Sequence, residues 1–373
     1  MDESSHAIFA RFFGGFPDIV RQASTTLAKA CGVDGRLDNA RLDEHQVSAY
    51  ELALSYAEYR AALVAWESMA GPASDLQRAL SAVYVATAIQ SIRVRLEPLL
   101  LALGIEPLDF DHILGGKELR SVLQFCLDPN RLADIGRRVI EVQADVGEIE
   151  LDDDKTMMQT AFRRLADDIV APRAESIHRQ DLTVPEEILQ PMREMGVFGI
   201  SVPQQYGGTA PDDCADNLSM IVVTEALSEA SLAAAGSLIT RPEILTRALL
   251  TGGSESQRLE WLPRIASGDV LCSIAITEPD YGSDVAGLSL RASPVEDGWR
   301  RSGASTWCTC AGRAQVLFVI ARTDPDRALG HRGLSALLVE KPSTEAHEFS
   351  FEQESGGCVT GKAIPTIGYR GMH

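Results

Sequence analysis

Residues Leu271 to Asp284 read Leu-Cys-Ser-Ile-Ala-Ile-Thr-Glu-Pro-Asp-Tyr-Gly-Ser-Asp, an apolar run that passes into a loop of small polar residues. Such a loop lets backbone N–H groups and hydroxyls come close to a phosphate or a planar ring. Ser302 to Gly312 then reads Ser-Gly-Ala-Ser-Thr-Trp-Cys-Thr-Cys-Ala-Gly, which sets one large aromatic among hydroxyl-bearing residues before a sharp turn. Taken singly, a Gly-Ser loop is an ordinary turn, and Trp307 belongs more simply to a core than to a cofactor platform.

Around these two stretches the period of the sequence is that of strands. Cys272 to Thr277, Gly298 to Ser302, Val316 to Thr323 and Leu334 to Glu340 are short β-branched or aromatic runs punctuated by Gly, Pro and Asp, so residues 270–373 are expected to form an antiparallel β domain. Upstream, residues 151–269 read as helices: Thr156 to Arg179, Pro185 to Met195 closed by Gly196, Asp212 to Ser231, Leu232 to Leu250 and Ser254 to Ala266, with Val197 to Gly208 irregular. The run Asp152-Asp153-Asp154 suits the positive end of the first helix. Residues 1–150 are expected to be a separate helical extension, broken at Gly32 to Gly35, Gly71-Pro72, Gly104 to Pro107 and Gly115-Gly116. Tyr50, Leu54, Ala57 and Ala61 mark one apolar face within it, and Val83, Ala86, Ile89, Gln90 and Val94 another. The class is α+β, two helical blocks followed by a β-barrel-like domain.

Lys and Arg total 34 against 53 Asp and Glu, a formal net charge of -19, and no basic cluster is interleaved with aromatics. Nucleic acid and anionic membranes are therefore not expected partners, and an anionic substrate has to be met by a local basic site. The cysteines, Cys31, Cys126, Cys214, Cys272, Cys308, Cys310 and Cys358, are an odd set without framework spacing, which fits a reducing compartment. Cys308-x-Cys310 has no second Cys or His cluster beside it, so no metal site is expected. With no basic n-region and no apolar run long enough to span a bilayer, a cytoplasmic protein is expected.

The order of the two loops, followed by Ala321-Arg322-Thr323-Asp324-Pro325 and Gly333-Leu334-Ser335-Ala336-Leu337-Leu338-Val339-Glu340, resembles the acyl-CoA dehydrogenase family. That family carries T-E-P-x-x-G-S-D, G-x-K-x-W-I-T-N, A-R-T-D-P and G-x-S-A-F-L-V-E in the same sequence. Gly196 to Pro203 through Tyr206-Gly207-Gly208, and Gly252 to Pro263, look like its upstream segments, so the likeness runs over residues 155–373. It implies FAD as cofactor, with Ile274, Ile276, Thr277, Ser283, Trp307 and Thr309 as flavin contacts and Ser283 also facing the CoA substrate. Thr277 would then stabilise charge gained by the reduced ring, Thr309 would bond near its N5, and Trp307 would cover it. Cys308 and Cys310 depart from the usual Ile and Asn, and Arg301 to Ser305 lacks the common Asn-Gly-x-Lys.

In the family a carboxylate removes the α-proton of the thioester while hydride leaves to the flavin. The resemblance places that Glu in a C-terminal helical bundle, and Ile367 to His373 looks like the turn before the last β strand. No catalytic base is therefore expected in this chain, which is expected to lack dehydrogenase turnover by itself. Glu278 and Asp284 flank the flavin loop, with Glu278 read as shaping it.

Two features bear on the substrate. The extension, with Gly35 to Asp38 leading into Leu42 to Gln46, resembles a branch of the family, the methylsuccinyl-CoA dehydrogenases of the ethylmalonyl-CoA pathway, and implies oxidation of (2S)-methylsuccinyl-CoA to mesaconyl-CoA. Arg241, in Ser237-Leu238-Ile239-Thr240-Arg241-Pro242-Glu243, is either a surface residue paired with Glu243 or a bidentate partner for the distal carboxylate of a dicarboxylyl-CoA. The alternatives are a short branched-chain acyl-CoA dehydrogenase, an oxidase and a non-catalytic subunit that keeps the fold as a scaffold. The resemblance further implies an electron-transfer flavoprotein as electron acceptor and a homo-oligomer, dimer or tetramer.

Overall fold

In the computed structural model, which describes residues 3–146, 151–296, 298–353, 356–366 and 370–373, the first helix α1 (Glu3–Cys31) buries Phe9, Phe12, Phe13 and Phe16. Their spacing puts them on one helical stripe. That stripe meets Tyr59, whose ring stacks on Phe16 at 4.8 Å and whose hydroxyl donates to the Phe13 carbonyl at 3.1 Å. A phenol can be buried here because its polar end is satisfied. After α1 come a tight hairpin of β1 (Gly32–Val33) and β2 (Arg36–Leu37), then α2 (Asn39–Glu44), α3 (Gln46–Ser68), α4 (Asp75–Ala102), α5 (Pro107–Leu114), α6 (Lys117–Cys126) and α7 (Pro129–Glu141). These elements make one compact unit, Met1–Glu150, with its own core.

The face expected on α3 has the right period and the wrong phase, and that expected on α4 is right in its first half only. On α3 the buried stripe is Leu52, Ser55, Tyr59 and Ala62, while Tyr50, Ala57 and Ala61 are exposed. On α4, Ala86 and Ile89 are buried as expected, but Gln90 and Val94 face solvent and Val85, Ile92 and Leu96 replace them. Alanine is so abundant here that it marks no single face, and the bulky Tyr59 sets the rotation of α3.

The second unit, Leu151–His373, begins with α8 (Asp153–Leu165), a π-helical turn at Ala166–Val170, and α9 (Ala171–Arg179). Asp152 caps α8 by accepting from the Lys155 N–H at 2.8 Å. The single helix expected over this span is widened ahead of Pro172, which has no N–H to continue the ladder. α10 (Glu186–Glu194) stops at Gly196, whose φ of 71° closes the helix as few other residues can. α11 (Asn217–Ser231) starts later than expected because Asp212 is drawn into a loop, accepting from the Gln205 N–H at 2.9 Å. α12 (Thr240–Gly252) and α13 (Glu255–Ala266) follow a 3-10 turn at Gly236–Ile239. In the irregular stretch, a Cβ on Gly208 would lie 1.9 Å from the Val202 carbonyl oxygen, so the chain can cross there only at glycine.

The strands are β3 (Cys272–Ala275), β4 (Arg291–Val295), β5 (Gly298–Ser302), β6 (Val316–Arg322), β7 (Leu334–Glu340), β8 (Glu348–Glu352), β9 (Cys358–Ile364) and β10 (Gly371–Met372). One sheet runs β3-β6-β4-β5 with β7 also on β6, and a second runs β10-β9-β8. The first is mixed. β6 pairs antiparallel with β7, but β3 lies parallel to β6, with Cys272 opposite Val316 and Ala275 opposite Val319. The segment between β3 and β6, which contains the β4–β5 hairpin, carries the chain back to the end from which β3 began, as a parallel neighbour requires. Ala275, Leu290, Ala292, Leu317, Val319 and Met372 pack together as the core of this β region. Among the described residues no helix is long and apolar enough to cross a membrane.

Candidate functional site

β3 ends at Ala275, and the chain continues through half-buried Ile276 and Thr277 into the loop that ends at Asp284. Glu278 is buried and shapes this loop. Its carboxylate accepts from the Ser289 N–H at 2.9 Å, the Leu290 N–H at 2.7 Å and the Ser289 hydroxyl. Asp284 accepts from the Gly287 N–H at 3.1 Å and caps the turn Val285–Gly287. Both carboxylates thus use their oxygens on the loop itself.

The second loop is fastened to the first. The Thr306 N–H donates to the Thr277 carbonyl at 2.7 Å, and the buried Ser273 hydroxyl donates to the Thr309 carbonyl at 2.7 Å. On its other side, Cys308 exchanges backbone bonds with Met372 at 2.9 and 3.1 Å, and the Cys310 N–H reaches the Arg370 carbonyl at 3.0 Å. Held between β3 and β10, Trp307 and Cys310 take left-handed φ values of 61° and 60°, uncommon outside glycine and a reason to look for function.

The structure therefore brings Ile274, Ile276, Thr277, Trp307 and Thr309 onto neighbouring segments. Trp307 is 59% exposed, while Ile274, Ile276, Thr277 and Thr309 are half-buried. The Ser305 and Thr306 hydroxyl oxygens are buried without a partner. An uncovered indole beside β-branched side chains and hydroxyls fits a planar ring with a polar edge, so these residues suit a flavin. Ser283 stands apart, exposed in the loop that follows Glu278.

Between α10, α12 and this turn lies a cavity lined by Arg241, Thr309, Cys310, Arg313 and Arg370, with Leu189 and Leu238 on its apolar wall. Arg241 is not the surface partner of Glu243. It is buried, donates to the Ser237 hydroxyl at 3.3 Å and reaches the Cys310 Sγ at 3.9 Å, whereas Glu243 pairs with Arg247 at 2.8 Å. Arg313 donates to the Val184 carbonyl at 2.7 Å and pairs with Glu345 at 2.9 Å and with Glu186. The hydrogen bond from Arg193, with the charges of Arg193 and Arg313, holds the Glu186 carboxyl below its usual range against the opposing effect of burial. Arg370 donates to the Asp181 carbonyl and lies 3.3 Å from His347 Nε2. Three guanidinium groups line the cavity, and two of them, Arg313 and Arg370, already face the carboxylates of Glu186, Glu345 and Asp181.

Arg313 and Arg370 were not recognisable in the sequence as site residues, although Arg313 follows the Gly312 turn directly. Lys341 was missed as well. It is buried, with Nζ donating to the Gly312 and Pro342 carbonyls at 2.8 Å each and lying 4.8 Å from the Phe349 ring centre, and burial pushes its pKa down to about 8. Burial pushes the Cys272 and Cys308 thiols up to about 12 and about 11, marking both as core groups. Among the described residues no group of three His, Cys, Asp or Glu side chains converges as a metal site would require. The turn at Ile367, Gly368 and Tyr369 lies outside the described residues.

This arrangement is that of a flavin-binding fold with an adjoining basic cavity. Residues 152–269 match the acyl-CoA dehydrogenase N-terminal domain and residues 273–372 its middle domain, so the chain belongs to the acyl-CoA dehydrogenase family. It is 33% identical to (2S)-methylsuccinyl-CoA dehydrogenase of Cereibacter sphaeroides over 94% of this chain and 64% of that protein. It is 35% identical to glutaryl-CoA dehydrogenase of Desulfococcus multivorans over 49% of this chain and 46% of that one. The solved butyryl-CoA dehydrogenase of Megasphaera elsdenii shares the fold, with a TM-score of 0.51 at 21% identity over 61% of this chain and 56% of that chain. The chain thus spans about half to two thirds of the length of these relatives.

Proposed function

We propose that this chain is the FAD- and acyl-binding part of an acyl-CoA dehydrogenase for a short branched dicarboxylyl-CoA, with (2S)-methylsuccinyl-CoA to mesaconyl-CoA as the reaction. The observation that carries the reading is the burial of Arg241 in a cavity it shares with Thr309. A guanidinium there meets a distal carboxylate with paired hydrogen bonds, and the apolar wall accommodates the branch. The alignment with the methylsuccinyl-CoA enzyme supports this, because it takes in most of the helical unit before residue 152. Bound FAD supplies the hydride acceptor. On the protein's side, Trp307 offers a ring surface, Thr277 and Thr309 offer hydrogen bonds, and the Ser273 and Thr306 bonds hold those groups in place. An electron-transfer flavoprotein as acceptor and a homo-oligomeric assembly belong to the same proposal.

The test is anaerobic titration of the FAD-loaded full-length protein with methylsuccinyl-CoA and butyryl-CoA, followed as bleaching of flavin absorbance. Arg241→Met should lower kcat/KM for methylsuccinyl-CoA on the order of a hundredfold and that for butyryl-CoA far less, since a carboxylate loses its charged partner only in the first case. Equal losses with both substrates would refute the assignment and favour a branched monocarboxylic acyl-CoA.

A further inference from the structure

Arg322, the last residue of β6, is a buried guanidinium whose hydrogen bonds go to backbone carbonyls. Nη2 donates to Ala286 at 2.6 Å, Nε to Leu288 at 3.2 Å and Nη1 to Gly330 at 3.4 Å. One cation thereby ties together two segments that are far apart in sequence, the turn Val285–Gly287 that follows Ser283 and the loop that precedes β7. Gly333 makes room for it, since a Cβ there would lie 2.8 Å from Nη1. The acids of the two segments are engaged on their own turns: Asp284 accepts from the Gly287 N–H at 3.1 Å, Asp324 from the Asp326 N–H at 2.9 Å and Asp326 from the Ala328 N–H at 2.9 Å. Among the described residues Arg322 forms no ion pair. A buried cation without a counter-ion costs stability, and an anion lying over the loop it braces offsets part of that cost.

We propose that Arg322 is a positioning residue, which holds the Ser283 loop in the shape that takes the diphosphate of a nucleotide ligand. The inference rests on reading the chain as one that binds FAD and an acyl-CoA, two ligands that share this chemistry. Ser283 is exposed, in a Gly-Ser loop of the kind that lets hydroxyls and N–H groups approach a phosphate. Arg322 acts from beneath that loop. Its bonds to Ala286 and Leu288 fix the backbone, and its unbalanced charge adds a positive potential that favours the anion.

The test uses the full-length protein and two pairs of ligands. In the first, the acyl-CoA that the protein oxidises is compared, by steady-state kinetics, with the same acyl group on pantetheine, which has no diphosphate. In the second, FAD is compared with FMN, which has a single phosphate, by quenching of flavin fluorescence on the apoprotein. Where the loop takes the CoA diphosphate, Arg322→Met should raise KM for the acyl-CoA about tenfold, with a far smaller effect on kcat and on the pantetheine thioester. Where it takes that of FAD, the Kd of FAD should rise about tenfold and that of FMN far less. Arg322→Lys, which keeps the charge, should recover part of the loss. Gly333→Ala, which crowds Nη1, should show a smaller loss of the same kind, and these two variants decide the matter should Arg322→Met not fold. Equal losses with both members of each pair, or no loss with any, overturn the proposal and leave Arg322 a structural brace. If no acyl-CoA is oxidised, the dehydrogenase reading fails, while the comparison of FAD with FMN still tests Arg322.

Discussion

The Ser273 hydroxyl donates to the Thr309 carbonyl at 2.7 Å, joining the strand that leads into one loop of the candidate site to the turn that carries the other. Ser273 is fully buried, so its loss leaves the Thr309 carbonyl short of a donor. Ser273→Ala should cost about 1 kcal/mol of stability and make FAD dissociate more readily from the full-length protein. Gel filtration with flavin absorbance, alongside a melting curve, checks both.

Glu278→Gln separates a structural acid from a catalytic one. Its carboxylate takes two backbone N–H groups and a hydroxyl, and an amide nitrogen facing those donors cannot. The variant should lose about 1–3 kcal/mol, read as a lower Tm, with kcat per bound flavin little changed. A large fall in kcat at unchanged Tm would contradict this role.

Lys341 makes stability rise with pH. Its folded pKa is pushed down to about 8, below the ordinary value of about 10.4 for an unfolded chain. Between those values the unfolded state holds more protons than the folded one, so raising the pH through this window favours folding. The wild type should gain stability relative to Lys341→Met from pH 7.5 to pH 10, measured by denaturant unfolding. A constant difference across that range would count against the buried charge.

Glu186 acts in the opposite sense at acid pH. Held low chiefly by the hydrogen bond from Arg193, it contributes stability that is present above the unfolded carboxyl pKa and lost as pH falls through its lower folded value. Glu186→Gln should therefore be less stable than wild type at pH 6, and the two should converge as the solution is acidified toward pH 3. Because the carboxylate is half-exposed, the difference should be modest and should shrink in salt.

The two loops expected to face a flavin were legible through their order along the chain. A Gly-Ser loop or a tryptophan among hydroxyl residues says little by itself, but the order of the two loops and of the motifs after them carries the likeness to the family, and Glu278 shapes its loop as expected. The basic cavity was not legible beyond Arg241. Arg313, Arg370 and Lys341 are distant in sequence from α12, and only the tertiary fold sets them around one space or against one carbonyl. The face of α3, and the second half of that of α4, failed for another reason. A helix rich in alanine carries its period in several rotations at once, and Tyr59, Ile92 and Leu96 settle which is buried. The parallel β3–β6 pair was hidden too, since strand runs reveal that strands exist and not which neighbours they choose.

That parallel pair also sets an order of events. β3 cannot complete its ladder until Val316 to Val319 have been made, and by then both loops of the candidate site are already in the chain. Pairing across so long a separation is slow compared with closing a hairpin such as β4–β5. On the ribosome, the two loops therefore have no rigid floor until β6 emerges.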